Sequence, residues 1–264
     1  MVVAAKSCWT ISVLDGDVAL AKRLAHETGT KLASLRHTSG LQGRALGDAG
    51  DAQGNAFLLS ELATNRPLDA VLSEESYDDR VRLNATRVWI IDPLDGTREY
   101  RERRDDWAVH VALVDHGAVV AAAVSQPARG EVFSSEPTPT PALSKRVIVV
   151  SRSRPPAKAQ LVADALEATL EPMGSAGVKA LAVARGEALA YVHEGGLNEW
   201  DAAAPIGVAL AYGLHVSDLR GRPIVFNQHD VVLHGGLIIC REECAATILE
   251  VLGVAPANDR PRCD

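Results

Sequence analysis

Cysteine is scarce and dispersed in this chain of 264 residues: only Cys8, Cys240, Cys244 and Cys263 occur. Cys240 and Cys244 stand four apart, but no second pair and no nearby histidine cluster completes a zinc site. Reduced thiols are expected, with Cys240 filling a strand. No run of 18 uninterrupted apolar residues exists, so no membrane-spanning helix is predicted. Lys6 ends the apolar start Met1–Ala5 too early for the core of a secretory signal. Positive charge is not in excess. Lys and Arg number 27 against 34 Asp and Glu, a formal net charge of −7. That balance argues against a nucleic-acid polymer or an acidic membrane as partner, and leaves room for a local basic pocket. There is no internal repeat. Neither Gly195-Gly196 nor Gly235-Gly236 is followed by the Lys-Ser/Thr of a phosphate loop, so both read as turns. His193, His215, His229 and His234 are scattered and read as surface or core residues rather than ligands. With 47% hydrophobic and 23% charged residues, the chain reads as a cytoplasmic, soluble enzyme. Its length suits one large domain or two modest ones sharing a core.

What is present centres on Val88-Trp89-Ile90-Ile91-Asp92-Pro93-Leu94-Asp95-Gly96-Thr97. Val88 to Ile91 predicts a buried strand. Pro93 is expected to end it and Gly96 to allow a tight turn. Two aspartates at a buried strand end carry a desolvation cost and call for a cationic partner. Around this stretch, helical spacing predicts a first helix over 14–37. A glycine-rich stretch covers Gly40 to Gly54. A second helix follows near Ala56 to Ala63, with Asp51 in or just before its first turn, where the helix dipole favours an acid. Ala70 to Leu72 is a short strand ending at Ser73-Glu74-Glu75, and 77–87 is loop-like. Strands over 107–114, 118–124 and 131–134 form a meander with a turn at Asp115-His116-Gly117. Glu136 to Pro141 is the expected boundary between halves 1–141 and 142–264. The second half alternates: strand 146–150, helix 157–170, a short helix opened by Gly174–Gly177, strand 188–192, helix 200–212, strands at 215–216 and 237–240, and helix 242–252. Ala255 to Asp264 is expected to fray. The whole predicts a layered α/β protein with mixed sheets.

Four acidic sites sit at strand ends or helix starts: Glu74, Asp92, Asp95 and Asp201. Each alone reads as a capping or surface acid. Together they form the set a two-metal phosphatase needs, and oxygen-only ligands favour magnesium. Leu94 would contribute its backbone carbonyl.

Asp92-Pro93-Leu94-Asp95-Gly96-Thr97, Trp200-Asp201-Ala202-Ala203-Ala204 and Ser73-Glu74-Glu75 resemble the motifs of the inositol monophosphatase superfamily. The resemblance runs from about Leu14 to Val251. It implies a layered αβαβα sugar-phosphatase fold and lithium-sensitive phosphate-ester hydrolysis dependent on two or three Mg2+. By that resemblance, Glu74, Asp92, Asp95, Asp201 and the Leu94 carbonyl hold metal. Thr97 and an upstream aspartate orient the water. Asp51 is preferred for that role and Asp48 is its rival, because the approach Leu46-Gly47-Asp48-Ala49-Gly50-Asp51 departs from the family pattern. Arg98-Glu99-Tyr100, Asp105 to His110, Ser151-Arg152-Ser153 and Gly174 to Lys179 resemble the nucleotide-directed, CysQ-type branch. That branch implies hydrolysis of the 3′-phosphate of 3′-phosphoadenosine 5′-phosphate, or of its 5′-phosphosulfate, in sulfate assimilation. Substrate contacts are then implied at Gly96, Thr97, Arg98, Ser151, Arg152, Ser153, Ser175 and Lys179, with Arg152 and Lys179 on the nonreacting phosphate. Taken singly, Arg152 reads equally as a solvated loop arginine and Lys179 as an exposed helix lysine. Inositol 1-phosphate and fructose 1,6-bisphosphate are the alternative substrates, a noncatalytic metal or nucleotide sensor the alternative class. A homodimer is common in the family that the chain resembles. Arg101, Arg103 and Arg104 read as a solvated loop, and Trp89 and Trp200 as packing residues beside the metal site.

Overall fold

The apolar run Val88 to Ile91 is covered on both sides, and the layers of the molecule follow from that. The computed structural model describes residues 8–254, with side chains from Gly16 onward. The run lies in β2 (Arg87–Asp95), which pairs in parallel with β1 (Ala70–Ser73) and antiparallel with β3 (Ala108–Asp115). Antiparallel β4 (Ala118–Gln126) and β5 (Glu131–Ser134) complete a mixed sheet of order β1-β2-β3-β4-β5. Successive side chains point to opposite faces. Trp89 and Ile91 pack with Leu24, Leu32 and Leu58 of α1 (Cys8–Thr38) and α2 (Gly43–Asn65). Val88 and Ile90 point the other way, into a core shared with α5 (Ala176–Ala184) and α6 (Glu199–Ala211). A strand with helices on both faces shows a continuous apolar run rather than alternation.

The second sheet has the order β10-β12-β8-β6-β7: His215–Ser217, Leu237–Cys240, Ala190–His193, Val147–Ser151 and Thr169–Met173. Val149, Tyr191 and Ile239 join the core around α5 and α6. Ile148, Val192 and Ile238 face α4 (Ala159–Ala165) and α7 (Glu242–Val251). A short ladder, β9 (Leu197–Asn198) with β11 (Val232–Leu233), leads into α6. The layers are therefore α-β-α-β-α, as expected, and two helices from the second half lie against the sheet of the first. Among the described residues, no helix is long and apolar enough to cross a membrane. Cys240 fills β12 and Cys244 is buried in α7, both as free thiols. The readings of Met1–Ala5 and Ala255–Asp264 fall outside the described residues, as do the side chain of Cys8 and the whole of Cys263.

Three expectations are corrected. The stretch Gly40 to Gly54 is mostly helix, because α2 begins at Gly43. Gly47, Gly50 and Gly54 recur on one helical face, where α2 meets the acid-bearing turn. A Cβ would come within 3.0 Å of Thr97 Cγ2 at Gly47, 2.9 Å of Leu94 Cδ2 at Gly50 and 3.0 Å of Pro93 Cβ at Gly54. Close packing outweighs a propensity penalty of about 1 kcal/mol per glycine. Asp51 consequently stands in mid-helix, away from the dipole end. Secondly, β2 continues through Pro93 to Asp95. Thirdly, the helix expected over 157–170 ends at Ala165. The chain reverses at Glu167 in a left-handed conformation (φ 48°) and runs on as β7. Pro172 is tolerated there because β7 is an edge strand.

Candidate active site

Asp92 and Asp95 are three residues apart and would point to opposite faces of a regular strand. The β2–β3 register changes between Asp92↔His110 and Asp95↔Ala108, so three steps on β2 match two on β3. This bulge returns both carboxylates to the α5/α6 side. It also accommodates Pro93, which has no N–H to offer the ladder. The Leu94 N–H donates to Asp92 Oδ1 at 3.0 Å. Gly96, with φ 88°, turns the chain into α3 (Thr97–Arg101).

Asp201 arrives from the opposite direction as the third residue of α6. Its Oδ2 accepts the Asn198 N–H at 2.6 Å, one arm of a capping box. Carboxylate oxygens of Asp92, Asp95 and Asp201 all lie within 4.8 Å of one another. Glu74, exposed just past β1, adjoins Asp92 but stands outside this tight trio.

Burial raises Asp92 well above the usual carboxylate range, and the Glu74 and Asp95 charges add to it. Although Glu74 keeps surface exposed, the protein packed around its carboxyl strips it of water, and this, then the Asp201 charge, pushes it up to about 7. Burial and the Asp95 charge bring Asp201 to about 6. Asp95 differs. Burial works against its charge, but His110, Lys179 and Ser175 outweigh that effect and hold it at about 2. Asp92 Oδ2 is buried with no hydrogen-bond partner. Clustered acids with one orphaned oxygen fit a hard divalent cation, and an all-oxygen donor set suits magnesium rather than zinc.

Thr97 Oγ1 lies 3.3 Å from Asp51 Oδ1 and 3.1 Å from the Leu94 carbonyl, and its single proton serves these two acceptors. Burial, then the Glu75 charge, lifts Asp51 to about 7. Asp48 faces solvent, its side chain 66% exposed, 3.6 Å from Arg44. Of the two rivals, it is Asp51 that reaches Thr97.

Beside Asp95 a cleft opens, lined by Gly96, Ser151, Arg152, Ser153, Ser175 and Lys179. Arg98 does not line it. It turns to solvent and pairs with Glu102 at 2.9 Å, one turn along α3. Arg152 is braced by Glu99 at 2.6 Å and Glu102 at 3.0 Å. Lys179 is buried, donating to the carbonyls of Gly174 at 3.1 Å and Ser175 at 2.6 Å. Burial lowers its pKa to about 8.

Three residues of the site escaped the sequence reading. Arg154 lines the cleft one position beyond Ser153, and its guanidinium makes no ion pair among the described residues. His193 is buried, as one of its readings had it, but its ring also borders the cleft. His110 interrupts the apolar β3 and is fully buried between the Trp200 carbonyl (Nδ1, 3.0 Å) and Asp95 Oδ2 (Nε2, 3.1 Å). Burial opposes its charge, yet the Asp95 carboxylate prevails and raises its pKa. The sequence signals were a lone polar residue inside a strand and the resemblance carried by Asp105 to His110, and neither gave His110 a role.

Residues 13–252 match the family described as the inositol monophosphatase family. The chain is 47% identical over 253 residues to the 3′-phosphoadenosine 5′-phosphate phosphatase of Mycobacterium leprae, covering 89% of this chain and 93% of that protein. It is 32% identical over 203 residues to the 3′(2′),5′-bisphosphate nucleotidase CysQ of Escherichia coli K12, covering 71% and 82%. In fold it resembles the crystal structure of CysQ from Bacteroides thetaiotaomicron, with a TM-score of 0.74 at 23% identity over 86% of this chain and 97% of that one. The five layers, the bulged Asp-Pro-Leu-Asp-Gly-Thr turn and these similarities agree: the chain belongs to the inositol monophosphatase family.

Proposed function

We propose that the chain is a magnesium-dependent phosphomonoesterase that removes the 3′-phosphate of 3′-phosphoadenosine 5′-phosphate and yields AMP. The observation that carries this reading is the buried trio Asp92, Asp95 and Asp201, with its orphaned Asp92 oxygen, set beside the Asp51–Thr97 pair. Similarity to the M. leprae and E. coli proteins supports the choice of substrate. Glu74, Asp92, Asp95, Asp201 and the Leu94 carbonyl would hold two or three Mg2+. Bound there, such ions supply charge neutralisation at the phosphoryl group and lower the pKa of water.

The chain's own part is positioning and proton handling, which is most of what phosphoryl transfer asks of a protein. Asp51 titrates near neutrality, so it can accept a proton at working pH. Thr97 donates a hydrogen bond to Asp51 and accepts one from the attacking water; as the water attacks, its proton passes to Thr97 while the Thr97 proton passes to Asp51. Hydrolysis then needs one displacement and no phosphoenzyme. Arg152 and Lys179 hold the second phosphate, joined by Arg154 at the cleft mouth. The setting is sulfate assimilation in the cytoplasm, and the working form a homodimer, which light scattering on the purified protein would check.

Phosphate release from 3′-phosphoadenosine 5′-phosphate, inositol 1-phosphate and fructose 1,6-bisphosphate, each with Mg2+, Mg2+ plus Li+, or EDTA, tests the reading. The bisphosphonucleotide should be cleaved fastest, with loss of activity in Li+ and EDTA. Faster release from either sugar phosphate would reassign the substrate. No release from any of them, with Mg2+ still bound, would leave a sensor.

A further inference from the structure

His110 sits in the middle of β3 between Ala108 and Ala112, on the apolar face turned to α5 and α6, with no exposed surface. A buried imidazole must account for both ring nitrogens. The Trp200 carbonyl can only accept, so Nδ1 carries a proton. Nε2 lies 3.1 Å from Asp95 Oδ2, off line for a straight hydrogen bond but close as a charge contact. The same Oδ2 accepts the Ser175 hydroxyl at 2.5 Å and the Gly177 N–H at 2.8 Å. Three groups from two segments, β3 and the start of α5, thus engage one oxygen of Asp95, while Oδ1 has no partner among the described residues. Gly177 makes this possible, because a Cβ there would lie 2.2 Å from His110 Nε2. The other side of the ring grips Trp200, the residue directly before Asp201.

We propose that His110 is a positioning residue: it holds Asp95 with Oδ1 presented to the cation and ties that carboxylate to the turn of α6 that carries Asp201. The inference rests on reading the acidic trio as a magnesium centre.

Two near-isosteric substitutions separate its contacts. The amide nitrogen of asparagine falls near the place of Nδ1, and that of glutamine near Nε2. His110→Asn therefore keeps the Trp200 bond and loses Asp95, whereas His110→Gln keeps Asp95. MgCl2 titrated calorimetrically into metal-free protein reads the effect. H110N and H110A should bind about 10–100-fold more weakly than wild type, and H110Q within about threefold of it, as groups that orient a metal's ligands do. A residue that only filled space would lower the melting temperature of all three and leave magnesium affinity unchanged. Wild-type affinity in H110N, or H110Q as weak as H110A, overturns the proposal. Should the asparagine and alanine variants not fold, Gly177→Ala crowds Nε2 with His110 still present. It should weaken binding about tenfold by the same loss of orientation, and unchanged binding counts against the idea. The wild-type arm separates the two readings. If wild type fails to bind Mg2+, the metal centre itself fails. If wild type and H110N bind and hydrolyse alike, only the role of His110 is lost.

Discussion

Asp92 and Asp95 share one turn and have opposite electrostatic fates. Asp95 is surrounded by donors, while Asp92 keeps one oxygen unpaired and is raised by burial. Asparagine at either position keeps the shape and removes the charge. D92N and D95N should show no measurable magnesium-dependent phosphate release while retaining native circular dichroism. Full activity in either would overturn the ligand assignment. Metal-free D92N should also melt about 2–4 °C higher than metal-free wild type, because relief of about 1 kcal/mol of repulsion moves a protein of this size by that much. At the neighbouring pair, Asp51→Asn should lower kcat by about 10²–10⁴, the usual worth of a general base. Asp48→Asn should leave it unchanged, since Asp48 points to solvent.

Among the elements, α2 is the most informative, because it begins at Gly43, well ahead of the start near Asp51 that the sequence suggested. Two carboxylate-bearing segments, one from each half, are anchored from outside in a comparable way. Glu199, in the first turn of α6, accepts the N–H groups of Asn227 and Gln228, each at 2.7 Å. Arg82, from the connection that follows Glu74, donates to Asn227 Oδ1 at 2.7 Å. The segments bearing Glu74 and Asp201 are thereby bracketed together. The glycine face of α2 allows a sharp test. In G50A, alanine gains about 1 kcal/mol of helix propensity but crowds Leu94 and Tyr100, a cost of about 1–3 kcal/mol. Its melting temperature should fall by only a few degrees. Its kcat should fall about tenfold, as Asp51 is levered away from Thr97 and general-base catalysis weakens. Gly16→Ala is the contrast. Among the described residues its Cβ would meet only Arg66 Nη2 at 3.8 Å, so it should stabilise α1 by about 0.5–1 kcal/mol in denaturant titrations.

For the whole molecule, the acidic centre is a burden that a cation would lift. In the unfolded chain these carboxyls titrate near 4. Folded and metal-free, Asp201 titrates at about 6, and Asp51 and Glu74 at about 7. Between those values the folded state binds more protons than the unfolded one, so rising pH disfavours folding. In EDTA, the melting temperature should therefore fall from pH 5 to pH 8. Magnesium at about 100 times its dissociation constant should restore about 2.7 kcal/mol. That corresponds to about 5–10 °C, and the pH slope should flatten with it. A melting temperature that rises with pH in EDTA would contradict the arrangement of these acids.

The residue types and spacing of the motifs, the alternation of helices and strands, and the buried strand 88–91 were all legible in the sequence. They depend on local pattern and on chemistry confined to a few adjacent residues. The five layers followed from those patterns together with a family resemblance. Other features depended on what lies across a packed interface. A glycine at Gly50 reads as flexible until Leu94 and Tyr100 are seen against it. Pro93 reads as a strand end until a bulge absorbs it. Asp48 stays a rival to Asp51 in the sequence until one helical face is seen turned to Thr97. Nothing in the sequence shows that α3 turns Arg98 from the cleft to pair with Glu102, or that Asp95 and Trp200 close on His110 from different layers. Sequence alone thus determined which groups are available for the chemistry. The tertiary structure decided which of them meet, because contact across layers depends on close packing and helix phase, which no single segment encodes.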